Sequence, residues 1–373
     1  MTEQCDVLIV GGGPSGSSLA WALRDSGLDI LIMDKKSFPR DKVCAGWVTP
    51  AVMESLQVDL EDYSSKHVLQ PITSFQTSAL GDASVQTEYG EVVSYGIRRR
   101  EFDDYLLQRS GARTLLETPF KSMEREDDHW LVNGEVRAKL VVGAGGHFCP
   151  VARQLGTKLG HKEKVVAAQE VEFELNEEQK KQCSLKADEP ELYFLKDLSG
   201  YAWAFRKGDY INIGLGRDDN HKLSEHVQAF ADYLKEQGKL GFDITERFKG
   251  HAYLLQPDSS REILEDNVML IGDAIGLAYA QSGEGIRPAI ESSLMAAEII
   301  KEANGDYSKA RLEPYRDRLY ERYGKPRPGA KSWIPQGFKQ FIGRKLLGNT
   351  WFSRHVVIDR WFLHRQQAPL QSK

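Results

Sequence analysis

At 373 residues the chain exceeds the usual size of one compact domain, so two interleaved lobes with a shared core are expected. With 41% hydrophobic and 28% charged residues it reads as an ordinary soluble globular protein. Its four cysteines, Cys5, Cys44, Cys149 and Cys183, form no C-x-x-C pair, which argues against a metal site, an iron–sulfur cluster or a disulfide scaffold and fits a reducing cytoplasm. No run reaches the roughly 18 apolar residues that a membrane span needs, and a strand expected by Cys5 leaves no room for a signal peptide.

The first motif is CDVLIVGGGPSGSSLAWALRDSGLDILIMDKK. Val7 to Val10 reads as a buried parallel strand, and Gly11-x-Gly13-x-x-Gly16 opens a helix with Leu19, Ala20 and Leu23 at helical spacing. Gly11 permits the tight turn, Gly13 admits a pyrophosphate to the backbone, and Gly16 allows helix and strand to pack closely. Pro14 and Ser15 lie in the turn whose N–H groups and helix dipole would hold phosphate. A second strand, Ile30 to Met33, ends at Asp34, whose carboxylate can accept both hydroxyls of an adenosine ribose. Lys35 and Lys36 follow it, either as partners of a 2′-phosphate or as surface lysines, so the motif alone leaves NAD and FAD open.

Late in the chain, LIGDAIGLAYAQSGEGIR has a different grammar. Asn267 to Ile271 is an expected strand, Gly272-Asp273 ends it, and a helix follows with Ile286, Ala289, Ile290, Leu294 and Ala297 on one face and Asn304-Gly305 as its stop. It has no GxGxxG at a strand end and no acid-tipped strand after its helix, which argues against a second independent dinucleotide site.

With both motifs in view, the sequence resembles the FAD-binding family that includes p-hydroxybenzoate hydroxylase-like monooxygenases, flavin-dependent halogenases and geranylgeranyl reductases. The resemblance implies that the early glycines hold the ADP half of FAD and that Gly272-Asp273 meets the ribityl chain. It also implies that Gly283-x-Gly285 starts a helix, at Ile286, whose N–H groups face the pyrimidine edge of the flavin. FPRDKVCAGWVTP is similar to the Lys-x-Cys-Gly-Gly loop of the reductase branch, with Lys42, Cys44 and Gly46 in register and Ala45 replacing one glycine. By that analogy Cys44 lies beside the isoalloxazine, as flavin neighbour or proton donor; from the residues alone it is a small buried hydrophobe. The Arg-x-x-Phe-Asp match in YGIRRREFDDYLLQRSGA selects Arg99 for cofactor contact. In LVVGAGGHFCPVARQLG, Arg153 matches the family pattern, but Gly145 stands where an aspartate is usual, a departure from the hydroxylase branch.

The implied fold class is α/β, a Rossmann-like FAD-binding domain from 1–65, 96–160 and 260–325. It is interleaved with a β-sheet substrate domain from 66–95 and 161–259, where period-two patterns recur, and followed by a helical tail, 326–373. LSGYAWAFRKGDYINIGLG resembles a reductase-branch segment, and alternation puts Tyr201, Trp203 and Phe205 on one face of a strand. Facing a cavity they would make a slot for a prenyl chain or flat ring; facing away they are inter-domain core.

From Lys325 onward there are ten Lys/Arg against one acid, Asp359, a net +9 that leaves −14 elsewhere in a chain of net charge −5. The tail interleaves these cations with Trp333, Phe338, Phe341, Leu346, Leu347, Trp351, Phe352, Trp361 and Phe362. That pattern suits peripheral contact with an anionic membrane or a lid packed over the substrate domain, and so acidic a body argues against nucleic acid. The expected activity is FAD-dependent reduction of an isoprenoid-type C=C bond on a hydrophobic small molecule, with NAD(P)H as a transient donor. The alternatives are a monooxygenase, a halogenase and a non-catalytic prenyl-lipid binder.

Overall fold

The computed structural model describes residues 2–158, 163, 165–219, 221–328 and 336–371; Trp333 and the side chains of Phe338 and Phe341 lie outside the described residues. The first strand, Glu3–Val10, carries Val7, Leu8 and Ile9 fully buried, because helices cover both faces of a parallel sheet. It sits at the centre of an eight-stranded sheet, between Val136–Gly143 and Ile30–Met33. Val268–Leu270 and Arg113–Leu115 extend the parallel run on either side, while Leu264–Glu265 and a hairpin, Met123–Glu126 with His129–Val132, pair antiparallel at its margin. Helix Pro14–Leu23 begins on a proline whose missing N–H costs nothing at that position. All ten of its residues are buried, since it is wedged between helices Arg99–Ser110 and Ile286–Ala303.

A seven-stranded sheet stands beside the first, in the order Lys249–Leu254, Val165–Glu174, Tyr210–Arg217, Gly200–Lys207, Glu191–Phe194, Ser74–Ala79, Val85–Glu88. All seven strands come from 66–95 and 161–259, and those of the first sheet from 1–65, 96–160 and 260–325. A small sheet of Trp47–Val48, Ser94–Ile97 and Leu69–Ile72 mixes the two sets. Alternation along Gly200–Lys207 sends Ala202 and Ala204 under helix Leu223–Glu236, and Trp203 and Phe205 to the opposite face.

The tail covers that opposite face. Leu347, Val357, Ile358, Phe362 and Leu363 are buried against Phe75, Phe194, Trp203 and Phe205, and Trp47 stacks between the Phe75 and Phe362 rings. Three of its arginines turn to one acidic hairpin: Arg344 takes both oxygens of Asp82, Arg365 meets Glu91 at 2.9 Å, and Arg354 donates to the Glu88 carbonyl. Beyond Phe362 the chain is tied down by Arg287, 1% exposed, which donates to the carbonyls of Gln367 (2.8 Å) and Ala368 (3.2 Å).

The same packing corrects one expectation. Helix Ile286–Ala303 has not one buried face but almost none exposed, Arg287 and Glu291 included, because the tail end and helix Lys309–Tyr323 cover its outer side. Glu291 accepts from Arg287 Nε (2.8 Å), Arg322 Nη2 (2.6 Å) and the Tyr323 hydroxyl (2.7 Å), and so is the shared carboxylate partner of the buried Arg287 and the half-buried Arg322. Glu291→Ala should therefore cost about 3–5 kcal/mol, by leaving those cations to repel each other unpaired. Urea unfolding tests this; an unchanged midpoint would sink the assignment.

Candidate functional site

The early and late motifs meet in space. Gly11 has φ +118, and a β-carbon there would lie 2.5 Å from the Ala144 carbonyl oxygen; one on Gly16 would lie 1.9 Å from the Gly11 oxygen. Strand and helix can approach this closely only without side chains. Gly272, at φ +61, passes so near Ser15 that a β-carbon would fall 2.1 Å from its Oγ. Ser293 donates to the Ser15 carbonyl (2.8 Å), and the Gly272 N–H donates to Ser292 Oγ (3.0 Å), fixing the second turn onto the first.

At the outer end, Asp34 accepts the Gly12 N–H at 2.7 Å and the Lys36 N–H at 2.9 Å, while Lys35 is exposed. Gly13 is open except toward the Arg40 guanidinium, which sits 3.3 Å from where its β-carbon would be. Arg40 also lies over the Phe38 ring and pairs with Asp103 at 3.3 Å. The result is a glycine turn with a cation above it, suited to a pyrophosphate.

At the inner end stands Asp273. Its Oδ1 is sealed from solvent with no hydrogen-bond partner, against the bare backbone of Gly285, and burial raises its pKa against the pull of Lys42, Arg99 and Arg261. Lys42 Nζ lies 2.9 Å from His251 Nε2; loss of solvent lowers Lys42 to about 8 and His251 to about 3, so a neutral imidazole accepts from an ammonium. Arg99, expected at the cofactor, gives its fork to Asp103 at 2.7 and 2.8 Å and acts on the site through its charge. Arg261 clamps the Asp273 turn from behind, donating to the carbonyls of His147 (2.9 Å), Asp273 (3.3 Å) and Ala274 (3.1 Å). Gly145 is exposed and lies close to Cys149 Cα and Pro150 Cδ, each 3.1 Å from a would-be β-carbon, so a side chain there would fit tightly. Arg153 is exposed.

The Cys44 loop is held from the seven-stranded sheet. Glu170 accepts the Cys44 N–H at 2.6 Å, and Lys207, fully buried, donates to the carbonyls of Ala45 (2.8 Å) and Ile97 (2.9 Å) while pairing with Glu172. Beside this loop a cavity of about 400 Å³ is lined by Tyr201, Trp203, Tyr253 and Gly283, with Phe352 and Trp361 of the tail opposite. Tyr201 donates to the Ser282 carbonyl, and Gly283, at φ +70, leaves room for the Tyr253 hydroxyl. Phe205 is the exception to the expected slot: it is 1% exposed and packs beneath Gly96, in the core and not on the cavity wall. Ile286 and Pro14 contribute as first residues of their helices, with apolar side chains buried.

Arg40, Glu170, Lys207, Asn212, His251 and Arg261 were not reached from the sequence. One signal was available: Lys207 falls in phase with Tyr201, Trp203 and Phe205, a charge on an apolar face that needs a partner.

A glycine turn beneath a cation, an acid closing the second strand, and a carboxylate with one sealed, unpartnered oxygen beside a helix start define a dinucleotide-binding oxidoreductase site, and its residues fit FAD. The chain matches the FAD binding domain family over residues 4–322. It is 30% identical to digeranylgeranylglycerophospholipid reductase 3 of Methanosphaera stadtmanae, across 87% of this chain and 84% of that one. It is 29% identical to menaquinone reductase of Mycobacterium tuberculosis, across 87% and 81%. Its fold matches the crystal structure of a geranylgeranyl bacteriochlorophyll reductase-like protein from Thermoplasma acidophilum, with a TM-score of 0.74 and 22% identity over 92% of this chain and 88% of that one. The protein belongs to the FAD-dependent oxidoreductases of the geranylgeranyl reductase and p-hydroxybenzoate hydroxylase-like superfamily.

Asp273→Ala should weaken FAD binding at least ~10-fold, the loss of about 1.4 kcal/mol; flavin retained at full occupancy after dilution would refute the role given to this carboxylate. Burial raises Glu170 from 4.5 to about 7, against Lys207, the Cys44 N–H and Asn212. The folded chain thus holds this proton more tightly than the unfolded one, and stability from this group is complete below pH 4.5 and declines as pH rises to about 7. Urea midpoints between pH 4.5 and 7.5 should fall less steeply for Glu170→Gln than for the parent; parallel curves would argue against it.

Proposed function

We propose that the protein reduces an isoprenoid-type C=C bond on a hydrophobic small molecule. The observation that carries this reading is the aromatic cavity, which runs from Tyr201, Trp203 and Tyr253 to the Gly283 turn and so adjoins the Asp273 end of the site. Reductases acting on prenylated lipids and on menaquinone, by their names, are similar along most of this chain.

The chemistry supplied by bound FAD would be hydride transfer, with NAD(P)H or another reductase as the source of electrons. The chain's own residues bind, orient and dry the site. Asp273 and the two glycine turns hold the cofactor, Lys42 and Arg99 keep the local field positive where negative charge collects, and the aromatic walls exclude water around a double bond. The second carbon of that bond needs a proton, and Cys44 or a nearby water is the candidate donor. Supporting peripheral membrane contact, Ile342, Leu346 and Trp351 stay 38%, 39% and 65% exposed on the tail, beside the cavity wall formed by Leu347 and Phe352.

The purified protein should be yellow and reducible without oxygen. Adding an unsaturated polyprenyl quinone or ether lipid under anaerobic conditions should restore oxidised-flavin absorbance and yield a product heavier by two hydrogens per bond. A product that instead gains oxygen, formed only in air, would replace this reading with a monooxygenase; a protein unable to take up FAD would end both.

A further inference from the structure

We propose that Asn212 is a positioning residue, which locks the Cys44 loop to the Trp203 wall of the cavity so that the flavin-side loop and the substrate wall keep one relative placement. Asn212 is 0% exposed, on strand Tyr210–Arg217. Its Oδ1 accepts from Trp203 Nε1 at 2.7 Å, while its Nδ2 faces Glu170 Oε2 (3.0 Å), Glu172 Oε2 (3.2 Å) and the Cys44 carbonyl (3.4 Å). The orientation of the amide is forced: the Trp203 indole N–H only donates, and the Cys44 carbonyl and the Glu172 carboxylate, whose pKa is held low by Lys207, only accept, so turning it over would set donor against donor and acceptor against acceptor.

The ring of bonds closes through Glu170. Its second oxygen takes the Cys44 N–H at 2.6 Å, so Glu170 and Asn212 bind the two backbone groups of Cys44 and also bind each other. Lys207 secures the next residue through the Ala45 carbonyl. Side chains from three strands thus grip two loop residues, and the only one that also reaches the Trp203 indole N–H is Asn212, among the described contacts. A packing role would be met by any side chain of similar volume and would carry nothing from Trp203 to Cys44. A positioning role couples the two, and this inference does not depend on which substrate fills the cavity.

The coupling can be read without turnover, in the FAD-loaded protein, as the rate at which iodoacetamide modifies Cys44, followed by peptide mass spectrometry with Cys183 as internal reference. Asn212→Leu should raise the Cys44 rate about ten-fold, since the loop loses its carbonyl donor and Glu170 loses a partner. Trp203→Phe removes the indole N–H that fixes the amide, and should raise the same rate several-fold with Cys183 unmoved. In the double variant the rate should not exceed that of Asn212→Leu alone. A wild-type Cys44 rate in Trp203→Phe, or full multiplication of the two effects, would overturn the proposal. If Asn212→Leu loses FAD or fails to fold, the Trp203→Phe rate decides alone.

Discussion

Where Gly272 passes the Ser15 hydroxyl there is no space for a β-carbon, and that close approach governs the rest of the site. It requires the sheet to place Val268–Leu270 two strands from Glu3–Val10, with Val136–Gly143 between them, so that both turns emerge at one edge. It also sets helix Ile286–Ala303 against helix Pro14–Leu23, with Ser293 bonded to the Ser15 carbonyl. The cofactor site is a seam between the beginning and end of the fold, complete only once both halves have been brought together.

The seam is electrically biased. Lys42, Arg99 and Arg261 all act electrostatically on Asp273, and each is partnered, by His251, by Asp103 and by Glu163. Unpartnered buried cations would be too costly to hold, and fully neutralised ones would give no field. Lys42 meets both conditions: the neutral His251 imidazole accepts its hydrogen bond without offsetting its charge, whereas Arg99 and Arg261 are each matched by a carboxylate.

What could be read in the sequence was local or nearly so. The strand, the glycines, Asp34 and the Asn304 stop lie within single segments whose spacing is their geometry, and Asn304 does end its helix at φ 48. The alternation of Tyr201, Trp203 and Phe205 was also legible, but not where the cavity would end along that face, because this depends on Gly96 arriving from another segment to bury Phe205. The polar network was illegible for the same reason. Glu170, Asn212 and Lys207 are unremarkable strand residues until antiparallel pairing of three strands brings them beneath a loop from the other sheet. The family resemblance supplied Asp273 and the Cys44 loop, neither of which composition or periodicity could single out.

The tail follows the second of its two readings, a segment packed over the substrate sheet with aromatics inward. Three of its aromatics are needed inward, where Phe352 and Trp361 complete the cavity and Phe362 stacks on Trp47. Its arginines answer an acidic hairpin, Asp82 to Glu91, and pairs this exposed contribute little each to stability, so they orient the strap more than they hold it. The holding is done past its end, where Arg287 binds the carbonyls of Gln367 and Ala368 and Tyr279 stacks on His364. Arg287 is the second residue of the helix that begins after the Gly283–Gly285 turn. A group that displaced Trp361 or Phe352 would therefore pull on a segment anchored beside Gly285, so this cavity wall and the start of helix Ile286–Ala303 are linked through the backbone.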